Sequence, residues 1–212
     1  MSVFTAIFFG GEEEMKRRNS IRKLSIIGIL GALAFVLMLL SFTIVGPYKL
    51  DFSEIPVMIG AFAYGPIVGV TIEAIKILLD IILGGPSDTA YVGELANFLI
   101  GVSFVVPASF IYFKHKTKKQ AIIGLAVGTV VMVITGVLLN IYLLLPLYAK
   151  LYFGMSLDAL LAFYGFDSLF KFIVITTIPF NLLKAGANSI ILLLIYKRVS
   201  VVLKSKDSED FE

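Results

Sequence analysis

The sequence predicts an all-α membrane protein, one bundle of six transmembrane helices with both termini cytoplasmic. Three observations carry this. Hydrophobic residues make up 58% of the 212 and charged residues 16%, where a soluble domain carries about 25% charged. The mean hydropathy is +0.96, and the apolar residues fall into long runs. Finally, 13 of the 18 Lys and Arg residues stand at three places. Lys16, Arg17, Arg18, Arg22 and Lys23 precede the first run, Lys114, Lys116, Lys118 and Lys119 fill one loop, and Lys197, Arg198, Lys204 and Lys206 follow the last run. Basic residues accumulate on the cytoplasmic side of membrane proteins, and an even number of crossings puts all three groups there.

Residues 1–14 form an apolar stretch followed by Glu12, Glu13 and Glu14, with no basic segment ahead of it. That order does not fit a cleaved signal peptide, and we read 1–14 as a disordered leader or non-native segment. Residues 15–204 form the single transmembrane domain, and 205–212 an acidic tail. Leu24–Val45 is long enough to cross a hydrocarbon core, which takes about 20 helical residues. The loop 46–53 follows, with Ser53 a suitable N-cap and Pro56 in the first turn of the next helix.

Ile55–Leu83 is broken at Gly65-Pro66 into two helices, the first too short to span without shielding by neighbours. Short, proline-interrupted segments of this kind mark binding sites in transporters. After the loop at 84–91 come Val92–Phe113, interrupted by Pro107, and Ala121–Leu145, ending at Pro146. Tyr148–Asp167 is expected as an amphipathic cap at the interface, and Leu169–Tyr196 is the last span. Loops 46–53, 84–91 and 148–167 face outward.

Polar groups inside these runs are the candidate site. An ionisable residue within a membrane helix is a functional candidate by default. Asn181 and Lys184 are three apart and share a helix face, and Asn140 lies at similar depth on the preceding helix. A buried amide can equally serve only to hydrogen-bond one helix to another. Glu94 and Asn97 open the fourth helix, where an acid also favours the helix dipole. Glu73, Lys76 and Asp80 have the spacing of an internal ion-pair ladder. Lys49, Leu50 and Asp51 form a candidate gate over an outer cavity. Gly28, Gly31 and Ala32 make a small-residue strip on the first helix, suited to close approach of another helix, within the bundle or from a partner.

Several chemistries have no residues to perform them. The chain has no cysteine, which excludes disulfides, thiolate catalysis and Cys-based metal sites. The single His115 sits in a Lys-rich loop and reads as solvated. There is no phosphate-binding Gly-x-x-x-x-Gly-Lys-Ser/Thr loop and no HExxH or GxSxG element. We therefore expect no catalytic residues, no metal and no cofactor, and any ATP-driven step must rest on a partner.

Taken in order, seven stretches resemble one family. They are Ala34-Phe-Val-Leu-Met-Leu-Leu, Lys49-Leu-Asp-Phe-Ser-Glu-Ile-Pro56, Tyr64-Gly-Pro-Ile-Val-Gly69, Glu73-Ala-Ile-Lys76, Ala96-Asn-Phe, Asn140-Ile-Tyr-Leu-Leu-Leu-Pro-Leu-Tyr148 and Ile178-Pro-Phe-Asn-Leu-Leu-Lys184. They resemble the riboflavin-specific S component of energy-coupling factor (ECF) transporters, the membrane subunit that captures the vitamin. The resemblance implies a six-helix S-component fold in a prokaryotic cell membrane, with riboflavin bound near the outer side under loop 46–53. It places ligand contacts on Asn140, Asn181 and Lys184, and further ones on Glu94 and Asn97. It also implies a transmembrane coupling subunit and two ATPase subunits as partners. The family's helix-one docking motif, Ala-x-x-x-Ala, is here Gly28 and Ala32. An S component for another vitamin, a stand-alone gradient-driven transporter and a non-transport membrane assembly are the alternatives that the residues leave open.

Overall fold

The computed structural model describes residues 2–46, 48–85, 87 and 89–204, with side chains between 18 and 196. The tail at 205–212 lies outside the described residues. Helix α1 runs Ser2–Leu39, and so includes the segment read as a leader. It stops short of Val45 because Phe42–Val45 is strand β1, which pairs antiparallel with β2, Tyr48–Leu50. Phe, Thr, Ile and Val in succession favour an extended chain over helix, although all four are exposed here. Loop 46–53 is thus the second half of a hairpin, held down by pairing rather than hanging free.

Helices α2 (Glu54–Tyr64) and α3 (Pro66–Leu83) are separated by Gly65 at φ +96°. Only glycine adopts that conformation without strain, and Pro66 then opens α3 where its missing N–H has no partner to lose. Helix α4 spans Val92–His115 and passes through Pro107 without ending. His115 is exposed at its last position, consistent with a solvated residue.

Helix α5 (Lys118–Leu139) does not end at Pro146 as expected. It continues through a π-helical turn at Asn140–Leu144, α6 (Leu145–Tyr148) and a second π turn at Ala149–Phe153. The π turn lies just ahead of Pro146 and shifts the hydrogen-bond ladder by one residue, so Leu145 N–H reaches the Asn140 carbonyl. A proline's missing donor is absorbed in such a local shift instead of breaking the helix. The expected cap at 148–167 is therefore the end of this long helix followed by α7, Leu157–Phe163. The last stretch repeats the device, with α8 (Leu169–Phe172), a π turn at Ile173–Thr177 just ahead of Pro179, and α9 (Ile178–Lys204).

Among the described residues, four helical stretches are long and apolar enough to cross a membrane: Arg18–Leu39, Val92–His115, Lys118–Phe153 and Leu169–Tyr196. The short α2 and the charged α3 pack among α1, α4 and α9. Helices α4 and α5 lie in close contact, since a Cβ on Gly124 would stand 2.5 Å from the Ala108 carbonyl oxygen. Small residues permit such approach where no water drives helices together. Phe62 stacks on Tyr112 at 4.0 Å in the largest apolar cluster, while Tyr48, Leu145 and Phe172 anchor a second one beneath the hairpin. Ile67, Ile82, Phe170 and Leu194 point outward. Glu73, Lys76, Asn140, Asn181, Lys184 and Asn188 are buried. An apolar exterior around a polar interior is the arrangement lipid demands.

Candidate functional site

Two of the three π turns, Asn140–Leu144 and Ile173–Thr177, lie at or beside the polar residues singled out from sequence. Each changes the angular register of its helix, and together they turn Asn140 and Asn181 into the same interior space. That space is a cavity of about 260 Å³ beneath the hairpin. Asn140, Asn181, Lys184, Glu94 and Asn97 all line it, as do Lys49 and Asp51 from the loop and Asp80 from α3. Leu50 is not among the lining residues. Met38, Val92, Ile100, Leu144 and Phe180 supply apolar wall. The five proposed ligand-contact residues come from three separated stretches, and the fold brings them together.

The hairpin is tied to this site at two points. Tyr48 donates its hydroxyl to Asn140 Oδ1 at 2.8 Å, and Thr177 Oγ1 lies 2.8 Å from the Tyr48 hydroxyl oxygen. With the tyrosine proton directed to Asn140, the threonine hydroxyl is the donor in the second bond. Burial pushes the Tyr48 hydroxyl well above its ordinary range despite the Thr177 bond, so it stays a donor. Phe180 packs against the Tyr48 ring with centroids 4.8 Å apart.

At the second point Lys184 Nζ donates to Asp51 Oδ2 at 2.9 Å. Asn188 Nδ2 reaches the Asp51 carbonyl at 3.1 Å. Burial raises the Asp51 carboxyl, but the charges of Lys184 and Lys76 and the Ser53 hydrogen bond outweigh it and hold the group at about 2. Ser53, expected as a helix cap, makes no cap bond. Its hydroxyl instead donates to Asp51 Oδ1 and accepts from Lys76.

The remaining bonds show what each amide has left. Asn140 Nδ2 is used on the Gly136 carbonyl, and Asn181 Nδ2 on the Thr177 carbonyl. Asn181 Oδ1 is buried with no hydrogen-bond partner among the described residues. Glu94 accepts from Thr89 at 3.1 Å. Asn97 accepts from Lys76 at 2.9 Å and contacts the Met38 sulfur through its amide. Lys76 pairs with Glu73 as the ladder spacing requires, and also with Glu54 across the helix gap.

Tyr48, Thr177 and Asn188 were not singled out in the sequence. Asn188 was accessible, since 181, 184 and 188 fall on one helical face. Tyr48 and Thr177 carry no such signal, because an aromatic in a loop and a threonine in a helix are ordinary.

The small-residue strip divides. Gly31 is buried, and a Cβ there would stand 2.5 Å from Ile75 Cγ2 on α3, so it serves packing inside the bundle. Gly28 has nothing within 4 Å of its Cβ position, and Ala32 is exposed beside it. The outward strip is Gly28 and Ala32.

A family model described as the substrate-specific component of ECF transporters matches residues 22–196. This chain belongs to that family. It is 33% identical to the riboflavin transporter FmnP of Bacillus subtilis (strain 168), covering 89% of this chain and 97% of the relative. It is 37% identical to the riboflavin transporter RibU of Staphylococcus aureus (strain TCH60), covering 86% of this chain and 93% of that one. A solved structure of the S component of a bacterial ECF transporter superposes with a TM-score of 0.70 at 36% identity, covering 87% of this chain and 99% of that chain. The cavity beneath the hairpin thus belongs to a multi-pass S component of a prokaryotic cell membrane.

Proposed function

We propose that this S component captures riboflavin on the outer side of the membrane, as cargo and not as a cofactor, for ATP-driven uptake. The observation that carries the reading is the composition of the cavity. The amides of Asn97, Asn140 and Asn181 and the ammonium of Lys184 share the cavity with apolar and aromatic wall from Met38, Ile100, Leu144, Tyr148 and Phe180, which suits a flat ring with carbonyl acceptors and a hydroxylated chain. Lys184 spends one N–H on Asp51, leaving donors for a flavin carbonyl or hydroxyl. The relatives named as riboflavin transporters match across nearly their whole length, which supports the same cargo here.

In this reading α2 and α3 complete six membrane helices with both termini cytoplasmic. Gly28 and Ala32 meet a transmembrane coupling subunit, and two ATPase subunits supply the energy. Equilibrium dialysis of the purified chain tests the cargo. Flavin retained at submicromolar concentration is expected, and absence of binding in that range would remove riboflavin as the ligand.

A further inference from the structure

Under the cavity floor lies a second buried cluster that the ligand reading does not use. Lys76 Nζ donates to Ser53 Oγ at 3.1 Å, to Glu54 Oε1 at 3.1 Å and to Asn97 Oδ1 at 2.9 Å. Glu73 Oε1 lies closer still, 2.5 Å from the same nitrogen, so four acceptors compete for the three N–H groups of one ammonium. The outer oxygens, Glu54 Oε2 and Glu73 Oε2, are buried with no hydrogen-bond partner among the described residues. Glu54, Glu73 and Lys76 expose 1%, 0% and 0% of their surfaces.

Charge counting gives the same answer as hydrogen-bond counting. The groups facing one another here are Asp51 from the hairpin, Glu54 from α2, Glu73 and Lys76 from α3, and Lys184 from α9. Helix α4 contributes the neutral Asn97 and Gly101, and α1 the Met38 sulfur. Asp80 and Glu94 lie along the cavity wall beyond them. Asp51 and Lys184 neutralise each other, leaving two carboxylates on the single ammonium of Lys76. An uncompensated ion out of water is heavily penalised, and a buried carboxylate oxygen with no donor adds to that cost.

Gly101 shows that both acids are packed side by side. Its bare α-carbon faces them, with the Cβ position 2.5 Å from Glu73 Oε1 and 3.0 Å from Glu54 Oε1. Two negative charges that close repel each other, and a single ammonium stands beside them.

We propose that Glu54 and Glu73 form a buried proton-binding site that holds one proton between them, making a neutral triad with Lys76. As the bundle assembles the proton comes from a solvent hydronium, whose O–H bond breaks to leave water as the carboxyl O–H bond forms. Because Lys76 bonds Ser53 beside the hairpin and Asn97 on the cavity wall, the proton fixes where that ammonium points. Loss of the proton adds one negative charge that draws Lys76 away from both neutral partners. This site does not depend on which ligand the cavity takes.

Infrared spectroscopy of the purified full chain in nanodiscs at neutral pH tests it. A protonated-carboxyl C=O band that shifts on labelling with carbon-13 glutamate is expected in the wild-type chain. Glu54→Gln and Glu73→Gln should each abolish that band, since either leaves one ionised carboxylate balanced on Lys76. Glu94→Gln should retain it. A labelled wild-type chain without the band overturns the proposal, as does a band that persists in either pair variant or vanishes in Glu94→Gln. If one pair variant fails to fold, the other decides by loss or persistence of the band.

Discussion

Asp51 and Lys184, 133 positions apart in the chain, meet at 2.9 Å with 1% and 8% of their side chains exposed. One comes from the hairpin over the cavity and the other from the helix that forms its wall. The pair therefore ties the lid of the site to its wall, and losing one charge is predicted to cost more than losing both. Lys184→Ala leaves Asp51 buried without its partner, a change that costs about 3–5 kcal/mol. The double variant Asp51→Asn, Lys184→Met removes both charges and should recover most of that loss in thermal unfolding. Flavin binding should stay impaired in the double variant, because Lys184 is also a proposed contact.

The same pair sets an acid limit. The Asp51 carboxyl is held at about 2, below its reference of 3.8, by Lys184 and Lys76 against the opposing effect of burial. A carboxylate whose folded value is depressed contributes stability above the unfolded value and loses it as pH falls through the folded one. The Asp51 contribution is therefore full above about pH 4 and gone below about pH 2. Asp51→Asn should flatten this part of the stability–pH curve measured by denaturant unfolding. An unchanged acid limb would show that other carboxylates govern it.

Asn140 offers its oxygen to Tyr48 and its amide to Gly136. Asn140→Ala removes a cavity group and leaves the Tyr48 hydroxyl short of one acceptor. Loss of a buried hydrogen bond predicts flavin affinity weaker by about 1–3 kcal/mol, measured by quenching of flavin fluorescence. Tyr48→Phe separates the two roles, since it leaves Asn140 in place and unlatches only the hairpin. Flavin dissociation should then be faster while stability falls by only about 1 kcal/mol.

How much of this was legible depended on whether the deciding partner is near in sequence. Asn140, Asn181 and Lys184 stood out because each interrupts an apolar run, and all three line the cavity. The Glu73–Lys76 pair followed from helical spacing. Glu54 did not, because its partner Lys76 lies on another helix and no pattern within α2 points to it. Pro107 and Pro146 read as breaks because a missing N–H is a local fact, whereas the π turn that accommodates Pro146 depends on the register of the helix ahead. Ser53 read as a cap for the same reason. Its competitor for hydrogen bonding, Lys76, is distant in sequence and near only in the fold.

The last prediction separates folding from assembly on a single helix. Gly31 and Gly28 are three residues apart on α1, but only Gly31 faces the bundle, against Ile75. Gly31→Leu should therefore reduce stability by about 1–3 kcal/mol or more through overpacking, lowering flavin binding and partner binding together. A Cβ at Gly28 meets nothing within 4 Å among the described residues, so the folding and flavin affinity of Gly28→Leu should match the wild type. If Gly28 and Ala32 are the seat of the coupling subunit, the added bulk on that strip blocks close helix approach. Co-purification with the coupling subunit and ATPases should then be lost while flavin is still retained. Full assembly of Gly28→Leu would move the docking surface elsewhere on the exterior without touching the assignment of the cavity.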